Sequence, residues 1–156
     1  MLAARFLAAI AIVAVAGVAL AQSDCRHVAG TFVNQGVPPP ACTSPVLFCT
    51  HGDLSGDLEG DYDFVMQTQT PNLAGPPVTM DFTGDSTITL ADGTMVAHDV
   101  GTITFRVGAL SPFETHVGIY DGSGAYAGAS GSLVATGGYD LVTSQGSGTY
   151  QGTTCV

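Results

Sequence analysis

From Gly52 onward apolar and polar residues alternate, rich in threonine and broken by glycine, and no 3.6-residue period is sustained over three turns. That is an all-β pattern. It is sharpest in HGDLSGDLEGDYDF, residues 51–64, where Asp53, Asp57, Glu59, Asp61 and Asp63 take odd positions and Leu54, Leu58, Tyr62 and Phe64 take even ones, with Gly52, Gly56 and Gly60 between them. As one strand over 53–69, the stretch turns its acids to water and its even side chains to a core. Further strands are predicted near 77–83, 86–91, 94–98, 101–107, 113–120, 130–136, 139–143 and 148–155, about eight in all once neighbours merge. Asp92-Gly93 and Gly137-Gly138 are placed as two-residue hairpin turns, because glycine supplies the positive φ that such turns need. A third hairpin folds 102–107 onto 113–120 through 108–112. With Val107 facing Phe113, it sets Arg106 against Glu114 on the outside and Ile103, Phe105, Val117 and Ile119 on the buried face. Short-turned antiparallel strands hide their edges by closing, so the expected fold is a closed antiparallel eight-stranded β-barrel, with a two-sheet sandwich as the alternative.

The chain divides into three parts. Residues 1–21 have the layout of a secretory signal: Arg5, an apolar run from Phe6 to Leu20, and a small-x-small end at Ala19-Leu20-Ala21. The run is about 15 residues, short of the roughly 20 that span a bilayer. Residues 22–50 read as an irregular arm, since Pro38, Pro39, Pro40 and Pro45 oppose a regular element, and residues 51–156 form the barrel domain. All four cysteines, Cys25, Cys42, Cys49 and Cys155, follow the expected cleavage point. An even number in an exported chain reads as two disulfides, a staple for the arm. Cys42–Cys49 with Cys25–Cys155, and Cys49–Cys155 with Cys25–Cys42, are both open at this level. The expected location is secreted or periplasmic.

After cleavage, Arg26 and Arg106 stand against 13 acidic groups. Nucleic acid and anionic membrane surfaces are therefore excluded as partners, because both are held by Lys and Arg. Oligomeric state is not indicated. Neither register of the acidic stretch fits an EF-hand loop: the sixth position, which requires glycine, falls on Leu58 or Tyr62. His27, His51, His98 and His116 form no H-x-H or H-E-x-x-H pair, Glu114 and His116 share an outer face, and Thr87 is placed opposite His98. No nucleophile elbow is present. Thus no catalytic residue, metal site or cofactor is assigned.

The motif G-S-G-x-Y-x-G occurs twice, in GSGAYAGASG at 122–131 and in GSGTYQG at 146–152. In strands such glycines mark bends or close neighbours, so the two copies are read as similar barrel corners filled by Tyr126 and Tyr150. GSGAYAGASG followed by an apolar strand resembles the G-x-G-x-[YF]-x-G-A-x-G signature of the allene oxide cyclase and dirigent proteins, which are eight-stranded antiparallel barrels. CTSPVLFCTHG, the strand Gly56 to Met66, DGTM and the closing GTYQGTTC also resemble small exported bacterial proteins of that barrel type. The resemblance spans roughly residues 42–156. It implies cofactor-free cyclisation or guided coupling of an apolar ligand inside the barrel, although no position matches those families' active-site motifs residue for residue.

Function is therefore sought in the barrel interior. Tyr62, Phe64, Met66, Met80, Phe82, Phe105, Tyr126 and Tyr150 are the candidate liners, facing a small apolar ligand or simply filling a solid core. Three readings follow: a binder or accessory module, a cofactor-free isomerase or cyclase, and a structural or surface protein.

Overall fold

A computed structural model describes residues 24–106 and 108–156. The expected signal segment, residues 1–21, and Val107 lie outside the described residues. The eight strands are β1 (Cys25–Gly36), β2 (Cys49–Gly56), β3 (Gly60–Asn72), β4 (Thr79–Leu90), β5 (Gly93–Thr104), β6 (Ser111–Gly124), β7 (Ser130–Asp140) and β8 (Gln145–Cys155). Each pairs antiparallel with the next and β8 pairs back onto β1, giving a closed barrel with no helix among the described residues. The fold class read from alternation is the one found.

Individual strands differ from the expectation in instructive ways. Residues 25–36 are not irregular: they form β1, whose inward row is Val28, Gly30, Phe32 and Asn34, a pattern masked by the glycine and the amide. Only 37–48, where the prolines lie, remains a loop. The 53–69 strand is two strands, turned at 57–59. There the Asp57 amide donates to the Ala29 carbonyl (3.0 Å) and the Asp57 carboxylate accepts from the Ala29 amide (2.8 Å). The hairpin pairs even residues with even, Gly52 with Tyr62 and Leu54 with Gly60, so the five acids still face water.

The β4–β5 turn is Ala91-Asp92, one residue earlier than expected, so His98 faces Asp85 and not Thr87. Gly137-Gly138 is not a turn. β7 runs through it, and the chain reverses at 141–144, where the Asp140 carboxylate accepts from the amides of Val142 (2.8 Å) and Thr143 (3.3 Å). Those bonds hold the Asp140 carboxyl below its ordinary range. In the third hairpin Phe113 faces Ile103 and Glu114 faces Thr102, so Arg106 does not meet Glu114; His116 Nε2 lies 3.4 Å from that carboxylate.

The disulfides are Cys25–Cys155 and Cys42–Cys49. The first joins paired residues of β1 and β8 at the barrel seam. With a sequence separation of 130 it restricts the unfolded chain by about 5 kcal/mol in the chain-entropy treatment, against about 2.5 for the separation of 7 in the second. Two such bonds belong to an oxidising, non-cytoplasmic environment. No helix among the described residues is long and apolar enough to cross a membrane.

One end of the barrel is packed solid. Leu58, 1% exposed, turns inward from the β2–β3 turn and belongs to one buried cluster with Val28, Met95, Ile119 and Tyr150. Tyr150 fixes that turn: its hydroxyl accepts from the Leu58 amide (2.9 Å), with the Leu58 and Ser55 carbonyls at 3.0 and 3.2 Å to take its proton. At the other end Met66, Phe82, Ile103 and Tyr139 form a second cluster, flanked by Val46 and Phe48 from the 37–48 loop.

Candidate functional site

Between the two clusters the barrel is hollow. A cavity of about 320 Å³ runs from Leu58 and Tyr150 at the packed end to Met80, Phe105 and Leu141 near the other. An eight-stranded barrel is normally just wide enough for side chains to fill it. Inward glycines change that here. A Cβ added at Gly84 would fall 2.3 Å from the Phe64 ring, one at Gly101 2.5 Å from Phe82, and one at Gly148 2.6 Å from Phe32. Each ring therefore lies over a neighbouring strand's glycine, against the wall, and leaves the axis open. The chain has seven Phe and five Tyr, and nine of them line this one cavity. They pack edge to face, Phe32 with Tyr62 at 6.2 Å and Phe64 with Phe82 at 5.9 Å.

Of the eight liners expected from the sequence, Tyr62, Phe64, Met66, Met80, Phe82, Phe105 and Tyr150 border the cavity. Tyr126 does not: it packs against the closed-end cluster from the β6–β7 loop. The two glycine motifs are accordingly not equivalent corners. The first ends β6 and turns, with Gly124 and Gly128 at φ of 64° and 75°, whereas the second lies wholly within β8.

The mouth is shaped by the 37–48 loop. Ser44 Oγ donates to the Met66 carbonyl at 2.5 Å, and the Met66 amide donates to the Phe48 carbonyl at 3.0 Å. Cys42–Cys49 pins the two ends of the segment carrying Val46 and Phe48. Phe48 thereby sits 5.4 Å from the Tyr139 ring and 6.5 Å from that of Phe64.

Few polar groups interrupt this apolar wall, and sequence reading missed the central one. Asp99, 2% exposed, sits in the inward row Met95, Ala97, Asp99, Gly101, Ile103 of β5. Its Oδ2 has no hydrogen-bond partner. Burial pushes its carboxyl up to about 6, against a lowering by the neighbouring Ser86 hydroxyl and by His98. Tyr62 accepts a bond from Asn34 Nδ2 at 2.7 Å, and burial pushes its hydroxyl up to about 12, so it stays a donor at any physiological pH. Asn34 Oδ1 is likewise buried and unpartnered, facing Gly146 on β8. The available signal for Asp99 was parity. Continuing the alternation from Met95 sends Asp99 inward and Val100 outward, and Val100 is 50% exposed.

Among the described residues no three His, Cys, Asp or Glu side chains converge as a metal site. The acidic hairpin carries instead a surface pair, His51 Nδ1 to Asp63 Oδ1 at 2.9 Å, and that bond raises the His51 imidazole above its ordinary value. Comparison with protein families, curated proteins and solved structures finds no match.

Proposed function

We propose that this is an exported protein, secreted or periplasmic, that binds a small, mainly apolar molecule inside its barrel. The cavity carries this reading: about 320 Å³, walled by aromatic and aliphatic side chains with a few polar groups, lies within the range of small-molecule sites. The hollow interior favours it over a structural protein with a filled barrel. The disulfides and the signal-like first 21 residues support export, and the eight-stranded antiparallel topology accords with the resemblance to allene oxide cyclase and dirigent barrels.

Native mass spectrometry of protein taken from the exporting cells' medium or periplasm is expected to show a small organic adduct that leaves on mild activation. Calorimetry with the neutral probe 2-naphthalenemethanol is expected to show one site per chain. Absence of both adduct and binding would remove the reading.

A second reading, a cofactor-free isomerase or cyclase, draws on Asp99. A carboxyl that titrates near 6 in an apolar cavity is suited to take a proton from one carbon of a ligand and return it to another, with the Tyr62 hydroxyl as a donor to an oxygen. It requires that Asp99→Asn abolish turnover while leaving binding of the neutral probe intact.

A further inference from the structure

The cavity's charge is one-sided. Among the described residues Asp99 is the one ionisable side chain besides tyrosines that borders it, and neither Arg26 nor Arg106 nor any histidine does. A buried carboxylate is costly unless paired, yet Asp99 Oδ2 is unpartnered in the folded protein. Nine aromatic rings line the same cavity, and the face of such a ring attracts cations and repels anions. An anionic ligand would meet both repulsions, and a neutral apolar one would leave the carboxylate without a counter-charge. A ligand with a positively charged N–H satisfies the carboxylate and the rings together. The surrounding field acts the same way: a chain of net charge −10 concentrates cations near its surface.

We propose that the cavity takes a small amphiphilic organic cation, a protonated alkyl- or arylamine, whose N–H pairs with the Asp99 carboxylate while its apolar body lies among the rings. This rests on the binding reading above and specifies the class of ligand. The groups acting on Asp99 are the Ser86 hydroxyl and Asp85 carboxylate from β4, His98 from its own strand and Tyr62 from β3, while β6 presents Val117 opposite it. None of these supplies an interior cation.

Three probes with one ring system separate the possibilities: 2-naphthylmethylamine, 2-naphthalenemethanol and 2-naphthoate, titrated calorimetrically into the full disulfide-bonded protein near neutral pH. The amine is expected to bind about tenfold or more tighter than the alcohol, as a charge-assisted bond outweighs a neutral one. The naphthoate is expected not to bind. Asp99→Asn should bring the amine down to the alcohol's affinity and leave the alcohol nearly unchanged. Should that variant not fold, lowering the pH to about 4.5 neutralises Asp99 in the native chain and should erase the same advantage. An alcohol that binds as well as the amine, or a naphthoate that binds best, overturns the cation assignment and leaves the binding reading standing. Failure of all three probes overturns the cation assignment, and together with the absence of a native adduct it overturns the binding reading as well.

Discussion

The β2–β3 hairpin carries five carboxylates, and the inward row of β5 carries one. In the hairpin Asp53, Asp57, Glu59, Asp61 and Asp63 are all exposed, and Asp53 directly faces Asp61 across the ladder. Asp99 is enclosed, with one oxygen unpartnered. Water screens the five, so their density in the sequence reflects a wetted face. Asp99 lies where the low-polarity surroundings make every charge costly, and so a single residue there has more chemical consequence than the whole stripe. What distinguishes the two regions is side-chain direction, a property of strand parity rather than composition.

The strongest consequence concerns the hairpin's apolar side. Leu58→Ala removes the plug of the packed end and should cost about 3 kcal/mol, by analogy with other buried leucines, measured by urea unfolding. Removing any one of the hairpin's acids should cost far less.

Asp99→Asn should act in the opposite direction. Because the folded-state value, about 6, lies above the ordinary 3.8, the unfolded chain ionises first as pH rises. Stability is therefore full below about pH 4, falls through the interval up to about 6, and is then lower by about 3 kcal/mol. The asparagine variant should be more stable than the native chain by about 1–3 kcal/mol at pH 8, with the difference closing below pH 4. Such a gain would mark Asp99 as a residue held against stability.

Gly84→Ala tests why the interior is hollow. The new methyl would meet Phe64 at 2.3 Å and the Val65 carbonyl at 2.8 Å. We expect a loss of about 1–2 kcal/mol and weaker binding of the naphthyl probes, as the ring is displaced toward the axis. Binding unchanged alongside lost stability would separate the glycine from cavity shape.

The smallest effect belongs to His51. Its imidazole is raised chiefly by the bond to Asp63, so the pair contributes below about pH 6.5 and its contribution is lost as pH rises through the folded-state value. Both partners are exposed, so His51→Ala should cost no more than about 0.5 kcal/mol near pH 5.5 and nothing near pH 9.

Alternation made most of the barrel legible. The even row of the acidic stretch does point inward, and of the predicted face Ile103, Val117 and Ile119 are buried and Phe105 half-buried, Ile103 and Phe105 in the cluster by the 37–48 loop and the other two in the packed end. Glycine was where reading went astray, since the same residue permits a turn and makes room for a ring. Gly137-Gly138 has the composition of a hairpin turn but lies inside β7, beside the Phe113 and Leu110 side chains, while Asp140 starts the actual reversal through its carboxylate. β1 was hidden for a related reason: Gly30 leaves space for Tyr150, and Asn34 turns inward, so its inner row does not look apolar. Asp99 is inconspicuous in the sequence because it stands apart from the cluster of acids, and its one mark is the inverted pair Asp99-Val100, with the polar residue at the inward position and the apolar one outward. The cavity itself depends on which glycine lies beside which ring, and that pairing comes from strand register.

The most direct measurement is a ¹³C NMR titration of the Asp99 side-chain carboxyl, assigned through Asp99→Asn, with and without 2-naphthylmethylamine. A midpoint near 6 in the free protein, moving downward when the amine is added, is the predicted result. A midpoint near the ordinary 3.8 that the amine does not move would mean that water already reaches the carboxylate and no cation pairs with it, contradicting the central claim.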